Sequence, residues 1–276
     1  IDKDILTVDN DHMKCLAIKD PGDLPWDELG IDVVIESTGI FRYRKDLEKH
    51  ISAGAKRVIL TVPPKDKLDA TVVLGVNDHI LSGSEKIISN ASCTTNCAGV
   101  LCKPIQDNFG IKQGYLITVH AFTMDQRLLD YPHADMRRAR AAGQSIIPTS
   151  TGAAKTLGEV IPDLKGKIDG IAYRVPVPDG SVVDMALELD LNVTVDDINR
   201  VMREASETYL KSHLQYSPEP IVSVDIIGNP YSGIYDAPLT RVIKNNFIKI
   251  TGWYDNESGY ANRTVDLVRK MGHFKS

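Results

Sequence analysis

Residues 32–62 read DVVIESTGIFRYRKDLEKHISAGAKRVILTV, and this stretch decides the fold class. It contains a strand-like apolar run, a charged helical stretch and a second strand-like run, at positions 33–36, 44–52 and 57–62. Two strands separated by a helical stretch form the crossover unit of a parallel sheet. Further strand-like runs follow at 71–74 and 86–89. The sequence therefore predicts part of a doubly wound α/β domain over residues 1–92.

The pattern changes after residue 92. The helical stretches there cover 93–108, 153–160 and 195–213, and the strand-like runs cover 115–121, 168–175 and 182–190. This mixture predicts an α+β domain over residues 93–255. Apolar residues at helical spacing in 261–271 predict a helix in a C-terminal segment, 256–276, which packs back on the first domain. Pro104 lies inside the first of these helical stretches, where we expect a kink.

Composition narrows the class of function. The chain has 276 residues, 42% of them apolar and 25% charged, which is typical of a globular protein with two domains. A net charge of -5, with 32 basic residues among 37 acidic ones, offers no basic face to nucleic acid or to an anionic membrane. The apolar runs are far shorter than the roughly 20 residues that cross a bilayer. These features favour small-molecule chemistry.

The four cysteines occupy positions 15, 93, 97 and 102, which are too few and too clustered for a disulfide framework. The sequence therefore predicts a reducing, cytoplasmic compartment, and we expect no metal site. Cys93 follows the strand-like run at 86–89 and begins a helical stretch. Unpaired amides and the dipole at a helix N-terminus lower the pKa of a thiol, so this position suits a nucleophile. A lone cysteine is otherwise a small buried apolar residue.

His120 lies near the end of the strand-like run 115–121 and is the candidate base. An isolated histidine is more often structural. Arg138, in an arginine-rich run, and Arg174 could each bind a phosphate through two parallel hydrogen bonds. Thr151 and Gly152 precede a helical stretch, an arrangement that binds anions through backbone amides. The alternative for the arginine run is a solvated helix face.

The stretch Ser-Asn-Ala-Ser-Cys-Thr-Thr-Asn-Cys at 89–97 resembles the active-site signature of phosphorylating glyceraldehyde-3-phosphate dehydrogenases. The likeness extends along the whole chain, through ESTG at 36–39, TVHA at 118–121, IIP at 146–148, TGAAK at 151–155, RVP at 174–176 and WYDNE at 253–257. It implies an NAD-using oxidoreductase of glycolysis, with a partial Rossmann cofactor domain and an α+β catalytic domain.

The resemblance also implies a role for individual residues. Cys93 would attack the aldehyde of the substrate to form a thiohemiacetal, and His120 would accept the proton; oxidation to a thioester and attack by inorganic phosphate would follow. Substrate or phosphate would be bound by Ser92, Thr94, Thr123, Arg138, Thr151, Gly152 and Arg174. The cofactor would be bound by Thr38, Gly39, Thr61 and Asn256.

The implied partners are triose phosphate, inorganic phosphate and further copies of the chain, because the family forms homotetramers. Pro132 favours NAD, and NADP stays open because the deciding acidic residue is not found in the sequence. Two alternatives remain, an erythrose-4-phosphate dehydrogenase and a non-catalytic binding protein that uses its thiol as a switch.

No Gly-x-Gly-x-x-Gly sequence occurs in residues 1–276, and the opening at Ile1 lacks the pattern expected of a signal peptide. By the resemblance we expect that the front of the cofactor domain is missing. A dinucleotide pyrophosphate would then lack its helix N-terminus, so the fragment alone is expected to be inactive.

Overall fold

The computed structural model describes residues 4–273. The first three residues of the predicted cofactor domain and the last three of the predicted C-terminal segment lie outside the described residues. The helices are α1 (Arg44–Ser52), α2 (Cys93–Phe109), α3 (Ala153–Val160), α4 (Val195–Glu207) and α5 (Ser258–His273). The strands are β1 (Ile5–Val8), β2 (Asp11–Lys14), β3 (Val33–Glu36), β4 (Arg57–Leu60), β5 (Ala70–Thr71), β6 (Ile87–Ser89), β7 (Ile111–Ala121), β8 (Ile147–Ser150), β9 (Ile168–Val175), β10 (Ser181–Leu189), β11 (Leu214–Ser217), β12 (Gly233–Asp236), β13 (Arg241–Ile243) and β14 (Phe247–Tyr254).

The smaller sheet has the strand order β3-β4-β6-β5, with all neighbours parallel. Successive side chains of a strand point to opposite faces of the sheet. The side chains of β4 therefore pack against one helix on each face. Val58 and Leu60 pack with Leu47 of α1, whereas Ile59 packs with Leu267 of α5. Helices therefore cover both faces of a parallel sheet, which confirms the doubly wound α/β class.

The larger sheet is mixed and has eight strands, in the order β11-β12-β14-β10-β7-β9-β8 with β13 beside β14. Helices α2, α3 and α4 pack together over it, and their buried residues form the largest apolar core in the described chain. Strand β10 alternates between fully and partly buried residues, so only one face of the sheet is packed in this core. The packing of α2 on this sheet brings the N-terminus of the helix to the end of β7.

Most predicted elements occur at the expected positions, including α1, α3, β3 and β9 with the predicted bounds. Other elements differ in extent: β7 begins at Ile111 rather than at 115, and β4 ends at Leu60 rather than at 62. Two further differences have a visible cause. The run 71–74 was predicted as a strand, but β5 ends at Thr71, because the Asn77 side chain accepts the Val73 amide and forms a turn. The helix predicted over 195–213 ends at Glu207, and Leu210 turns back to bond its amide to the carbonyl of Ala205.

Helix α2 runs through Pro104 without a break. Proline removes one backbone donor and normally interrupts a helix interior. Here Pro104 is buried, and it is flanked by the buried residues Cys102 and Ile105 in the core of the larger layer. Tertiary packing therefore outweighs the local cost, and the N-terminal end of α2 stays joined to a rigid helix.

Candidate active site

Cys93 is the first residue of α2 and is half-buried. Ser92 caps the helix, since its Oγ accepts the amide of Thr95 at 3.1 Å. The residue before the cap, Ala91, has a φ of 55°, a left-handed conformation that costs a non-glycine residue about 1 kcal/mol or more. The turn that presents the sulfur is therefore strained and has to be held by its surroundings.

The structure brings Cys93 and His120 together. The distance from Cys93 Sγ to His120 Nε2 is 3.5 Å, within reach of a sulfur hydrogen bond. His120 lies near the end of β7 and is buried, with its Nδ1 2.7 Å from the carbonyl oxygen of Ala121. The arrangement allows a proton to pass from the thiol to the imidazole when the sulfur attacks a carbonyl.

Burial controls the resting protonation of this pair. It raises the pKa of the Cys93 thiol, although the charge of Arg174 and the amide of Thr94 act in the opposite direction. Burial and then the charge of Arg174 lower the pKa of His120 to about 3. The backbone amide at the helix N-terminus acts to lower the thiol pKa, as expected, but burial outweighs it and the pKa is raised. At neutral pH the resting pair is a thiol beside a neutral imidazole.

The other two cysteines of α2 are shielded. Cys97 and Cys102 are fully buried, and burial raises the pKa of Cys97 and raises that of Cys102 to about 12. A thiolate is the reactive form of cysteine, so neither residue is a nucleophile.

Arg174 joins this pair because β7 and β9 run parallel with His120 opposite Arg174 in the register. Its Nη1 donates to the carbonyl of Ala121 at 2.9 Å. Burial lowers the pKa of this guanidinium, and its buried Nε has no hydrogen-bond partner among residues 4–273. An unpaired buried donor on a cation is costly unless an anion binds to it. The residue therefore suits an anionic substrate group.

Thr123 follows β7 and is held by a neighbour that was not among the predicted site residues. Its amide and its Oγ1 donate to Gln126 Oε1, at 2.9 and 3.2 Å. Gln126 is buried, and its Nε2 has no partner in the described part of the chain. Gln126 is thus a second donor available to a bound anion, and its place in the long loop after β7 gave no sequence signal.

Arg138 is already paired. Its Nη1 donates to a carboxylate oxygen of Asp125, and its Nε donates to Thr149 Oγ1 at 2.8 Å. A phosphate at Arg138 would have to compete with Asp125. Nearby, Thr151 Oγ1 accepts the amide of Ala153 at 3.2 Å, and Gly152 is the N-cap of α3 with open space where a Cβ would be. That helix end is accessible to an anion.

Thr94 does not present an unoccupied hydroxyl. Its Oγ1 lies 2.8 Å from the hydroxyl of Tyr254, which also lies 2.9 Å from Thr118 Oγ1. Tyr254 is fully buried, and its ring meets that of His120 edge to face with the centroids 5.8 Å apart. The edge-to-face contact with Tyr254 therefore holds the imidazole of His120 in place. Nothing in the local sequence distinguishes Tyr254 from a core residue, so its role was not predicted.

Thr38, Gly39 and Thr61 follow β3 and β4, at the carboxyl edge of the parallel sheet where such folds bind their ligands. Gly39 has a φ of 72° and open space at its Cβ position, so a ligand can approach its backbone closely. Asn256 follows β14, and its Oδ1 accepts the hydroxyl of Ser181 at 2.6 Å. That bond orients the amide nitrogen of Asn256 as the donor for a ligand.

Ser181 and Tyr260 connect the two halves of the candidate site. Ser181 Oγ accepts the amide of Ala121, next to His120, at 3.1 Å. The hydroxyl of Tyr260 donates to the carbonyls of Thr61 and Ala91, at 2.8 and 3.1 Å. The cofactor-side residues are thus tied to the turn that carries Cys93. Neither residue was predicted, since their partners are remote in sequence.

Two structural findings concern other kinds of site. Among residues 4–273, no cluster of three histidine, cysteine or acidic side chains could hold a metal ion. Over the same range, no helix has both the length and the apolar character required to cross a bilayer.

Comparison with known proteins gives consistent matches. Residues 92–256 match the family model described as the glyceraldehyde 3-phosphate dehydrogenase C-terminal domain, and residues 1–44 match the model for the NAD binding domain of that family. The chain is 51% identical over 271 residues to glyceraldehyde-3-phosphate dehydrogenase 2 of Streptomyces avermitilis, a match that covers 98% of this chain and 81% of the relative.

Two more relatives carry the name glyceraldehyde-3-phosphate dehydrogenase. The one from Mycolicibacterium smegmatis is 53% identical over 270 residues, covering 98% of this chain and 79% of the relative. The one from Borreliella burgdorferi is 55% identical over 273 residues, covering 96% of this chain and 81% of the relative.

Proposed function

The chain belongs to the glyceraldehyde-3-phosphate dehydrogenase family, and we propose that it oxidises glyceraldehyde 3-phosphate to 1,3-bisphosphoglycerate with reduction of NAD and uptake of inorganic phosphate. The observation that carries the proposal is the 3.5 Å contact between Cys93 Sγ and His120 Nε2 at the N-terminus of α2. A nucleophile, a base and an adjacent unpaired arginine donor are the groups that covalent oxidation of a phosphorylated aldehyde requires.

In the first half of the reaction, Cys93 Sγ bonds to the aldehyde carbon while its proton passes to His120 Nε2. The protonated imidazole then donates to the oxygen of the thiohemiacetal. Arg174, with its unpaired Nε, and Thr123 bind the phosphate of the substrate. A fixed phosphate places the aldehyde against the sulfur, which converts the attack into an intramolecular step.

Loss of a hydride from the carbon, with return of the proton on the oxygen to His120 Nε2, leaves a thioester on Cys93 for the second half of the reaction. Inorganic phosphate, bound by Thr94, Thr151, Gly152 and Arg138, attacks this carbon, and the acyl phosphate leaves as the sulfur is released. Ser92 keeps the helix end in place as its cap. Because Arg138 is paired with Asp125 and the hydroxyl of Thr94 with that of Tyr254, phosphate binding includes the displacement of both partners.

The residues at the carboxyl edge of the smaller sheet fit the nicotinamide end of a dinucleotide. Thr38, Gly39 and Thr61 would hold it along the sheet edge, and Asn256 would donate to the carboxamide. When bound, NAD accepts the hydride that leaves the substrate carbon. The same residues do not select between NAD and NADP, so the choice of NAD rests on the family.

We further propose a cytoplasmic homotetramer. The segment between β7 and β8 exposes large apolar side chains, which would be covered by another copy of the chain: Met124, Leu128, Leu129, Tyr131, Met136 and Ile146. Contiguous exposed apolar residues mark an interaction surface in a protein of ordinary composition. Light scattering of the purified protein, as its gene encodes it, should give four times the mass of the chain.

The decisive experiment follows NAD reduction in the protein as its gene encodes it. With triose phosphate and phosphate present we expect steady turnover. Without phosphate we expect a single turnover, because the thioester on Cys93 then accumulates. The Cys93→Ser variant should abolish both, whereas Cys15→Ser, which changes an exposed cysteine, should abolish neither.

A Cys93→Ser enzyme that keeps most of its turnover would contradict the covalent route. A higher kcat/KM with erythrose 4-phosphate than with glyceraldehyde 3-phosphate would reassign the substrate. Absence of any NAD reduction in a folded protein would favour a non-catalytic role.

A further inference from the structure

A buried polar network lies beneath the cofactor edge of the smaller sheet, outside the groups that touch substrate. Glu36, the last residue of β3, and His50 of α1 are each only 3% exposed. His50 Nε2 lies 3.2 Å from Glu36 Oε2, and the indole Nε1 of Trp26 donates to His50 Nδ1 at 3.0 Å. Buried ionisable groups are costly unless they are fully bonded, so this network calls for an explanation.

The bond from Trp26 determines the tautomer of His50. An indole N–H can only donate, so His50 Nδ1 has to be the acceptor. The proton of the neutral imidazole is then on Nε2, and Nε2 donates it to Glu36. Trp26 and His50 thus act in series, and together they supply one directed hydrogen bond to a buried carboxylate.

The other oxygen of that carboxylate holds the loop after β3. Glu36 Oε1 accepts both the amide of Thr38, at 2.8 Å, and the hydroxyl of Thr38, at 2.5 Å. The amide of Ile40 donates in turn to Thr38 Oγ1 at 3.2 Å. Burial opposes ionisation of Glu36, but the bonds from His50 and Thr38 leave its pKa below the ordinary value. The loop is therefore tied to an ionised side chain.

The second proposed cofactor residue depends on the same amino acid. The amide and the Oγ1 of Thr61 both donate to the backbone carbonyl of Glu36, at 3.1 and 3.2 Å. Trp26, Glu36, Thr38 and His50 also line one cavity of about 390 Å³ beside β3. Glu36 is thus the common anchor of two neighbouring turns at the sheet edge.

We infer that Glu36 is a positioning residue for the dinucleotide, held in place by His50 and Trp26, and that it fixes the turn containing Thr38 and Gly39 in its binding conformation. The inference rests on the proposed function. It adds a specific feature: the Thr38 hydroxyl is committed to Glu36, so this turn meets the cofactor through its backbone. A rigid turn lowers the entropy cost of binding.

The test compares His50→Gln with His50→Leu in the protein as its gene encodes it. A glutamine can accept from Trp26 and donate to Glu36, whereas a leucine can do neither. For His50→Leu we expect an NAD Kd and an NAD KM at least about tenfold higher, the size of one lost bond to a buried charge. His50→Gln should stay within about twofold of the wild type.

A second measurement is independent of turnover and of cofactor. Hydrogen exchange of the Thr38 and Ile40 amides should be faster in His50→Leu and unchanged in His50→Gln. Nitrogen NMR of the wild type should show His50 as the Nε2–H tautomer. Should His50→Leu fail to fold, Trp26→Phe removes the indole donor while keeping an aromatic ring, and it should give the same exchange effect in smaller degree.

The KM for triose phosphate and the alkylation rate of Cys93 should be the same in all of these proteins. A change in either would mean a general structural role and would overturn the inference. Unchanged exchange at Thr38 in His50→Leu, or equal NAD affinity of the two His50 variants, would also overturn it. If the wild type does not reduce NAD, the proposed function is wrong. The hydrogen-exchange and tautomer measurements still test whether Glu36 anchors the turn.

Discussion

The guanidinium of Arg174 lies against the imidazole of His120, with Nη1 of the arginine 2.5 Å from Nδ1 of the histidine. The carbonyl oxygen of Ala121 is within hydrogen-bond distance of both nitrogens. Either Arg174 donates to Nδ1, or Nδ1 carries a proton and donates to Ala121. Only the second arrangement leaves Nε2 without a proton and able to accept one from Cys93. Binding of Arg174 to an anionic substrate group favours that arrangement.

Replacement of Arg174 should slow the reaction of Cys93 with an alkylating reagent in the absence of substrate. The charge of Arg174 acts to lower the pKa of the thiol, so Arg174→Gln should decrease the thiolate fraction and with it the rate of labelling. The measurement is the rate of iodoacetamide labelling at neutral pH, mapped by peptide mass and made in a Cys15→Ser background.

Arg138→Gln is the matched control for that experiment, because Arg138 is paired with Asp125 and Thr149 and no bond joins it to Cys93. Its labelling rate should equal that of the parent. Equal rates for Arg174→Gln and the parent would show that the guanidinium does not act on the sulfur.

The dependence of the free energy of unfolding on acid pH should show that His120 is buried in its neutral form. Its pKa is lowered from 6.5 to about 3 by burial and by Arg174, so the unfolded chain binds a proton more readily than the native protein. Below pH 6.5 protonation therefore favours unfolding, and native stability is lost as the pH falls toward 3. His120→Gln lacks this contribution, so the stability difference between the two proteins should change by up to about 1.4 kcal/mol per pH unit in that window.

Urea unfolding of both proteins, at steps from pH 6.5 down to about 3, provides the measurement. Above pH 6.5 the difference between them should be constant. Parallel curves through the whole acid range would mean that His120 titrates in the native protein much as it does in the unfolded chain.

Tyr260→Phe should weaken both the fold and the catalytic turn. The hydroxyl bridges the carbonyls of Thr61 and Ala91, and its removal leaves these acceptors without this donor in a partly buried place. We expect a loss of about 1 kcal/mol in the free energy of unfolding. Because Ala91 is held in a left-handed conformation just before the helix of Cys93, kcat should fall as well.

Tyr43→Phe is the control for Tyr260, since Tyr43 is largely exposed and should be neutral in both assays. An unchanged kcat in a destabilised Tyr260→Phe enzyme would restrict the role of the hydroxyl to the fold.

Thr194→Ala should lower the free energy of unfolding without changing the candidate active site. Thr194 and Asp197 form a capping box at the start of α4, in which each side chain accepts the backbone amide of the other. Loss of such a cap costs about 1 kcal/mol. Urea unfolding should show this decrease, while Thr194→Ser keeps the hydroxyl and the stability. The labelling rate of Cys93 should be unchanged in both, and a slower rate would mean that α4 influences the site.

The alternation of strands and helices was readable from residue order. The bounds of β3 and α1 follow from an apolar run closed by Ser-Thr-Gly and from a charged helical stretch, both of them local patterns. The helix that starts at Cys93 was predicted for the same reason. The pairing of Cys93 with His120 came from the family resemblance, because spacing alone does not place residues 27 positions apart in contact.

The amino-acid sequence by itself determined the helices, the strands between them, the family and the choice of Cys93 as the candidate nucleophile, because these depend on short segments; the strands β1, β2, β8 and β11–β14 were not predicted. Only the tertiary structure decided which polar groups are already bonded and which are not. The register between β7 and β9 sets Arg174 beside His120, and the packing of α5 sets Tyr260 against two carbonyls remote in sequence. Burial then sets the protonation of Cys93 and His120. Contacts and burial of this kind depend on how sheets and helices assemble, which no local pattern of residues records.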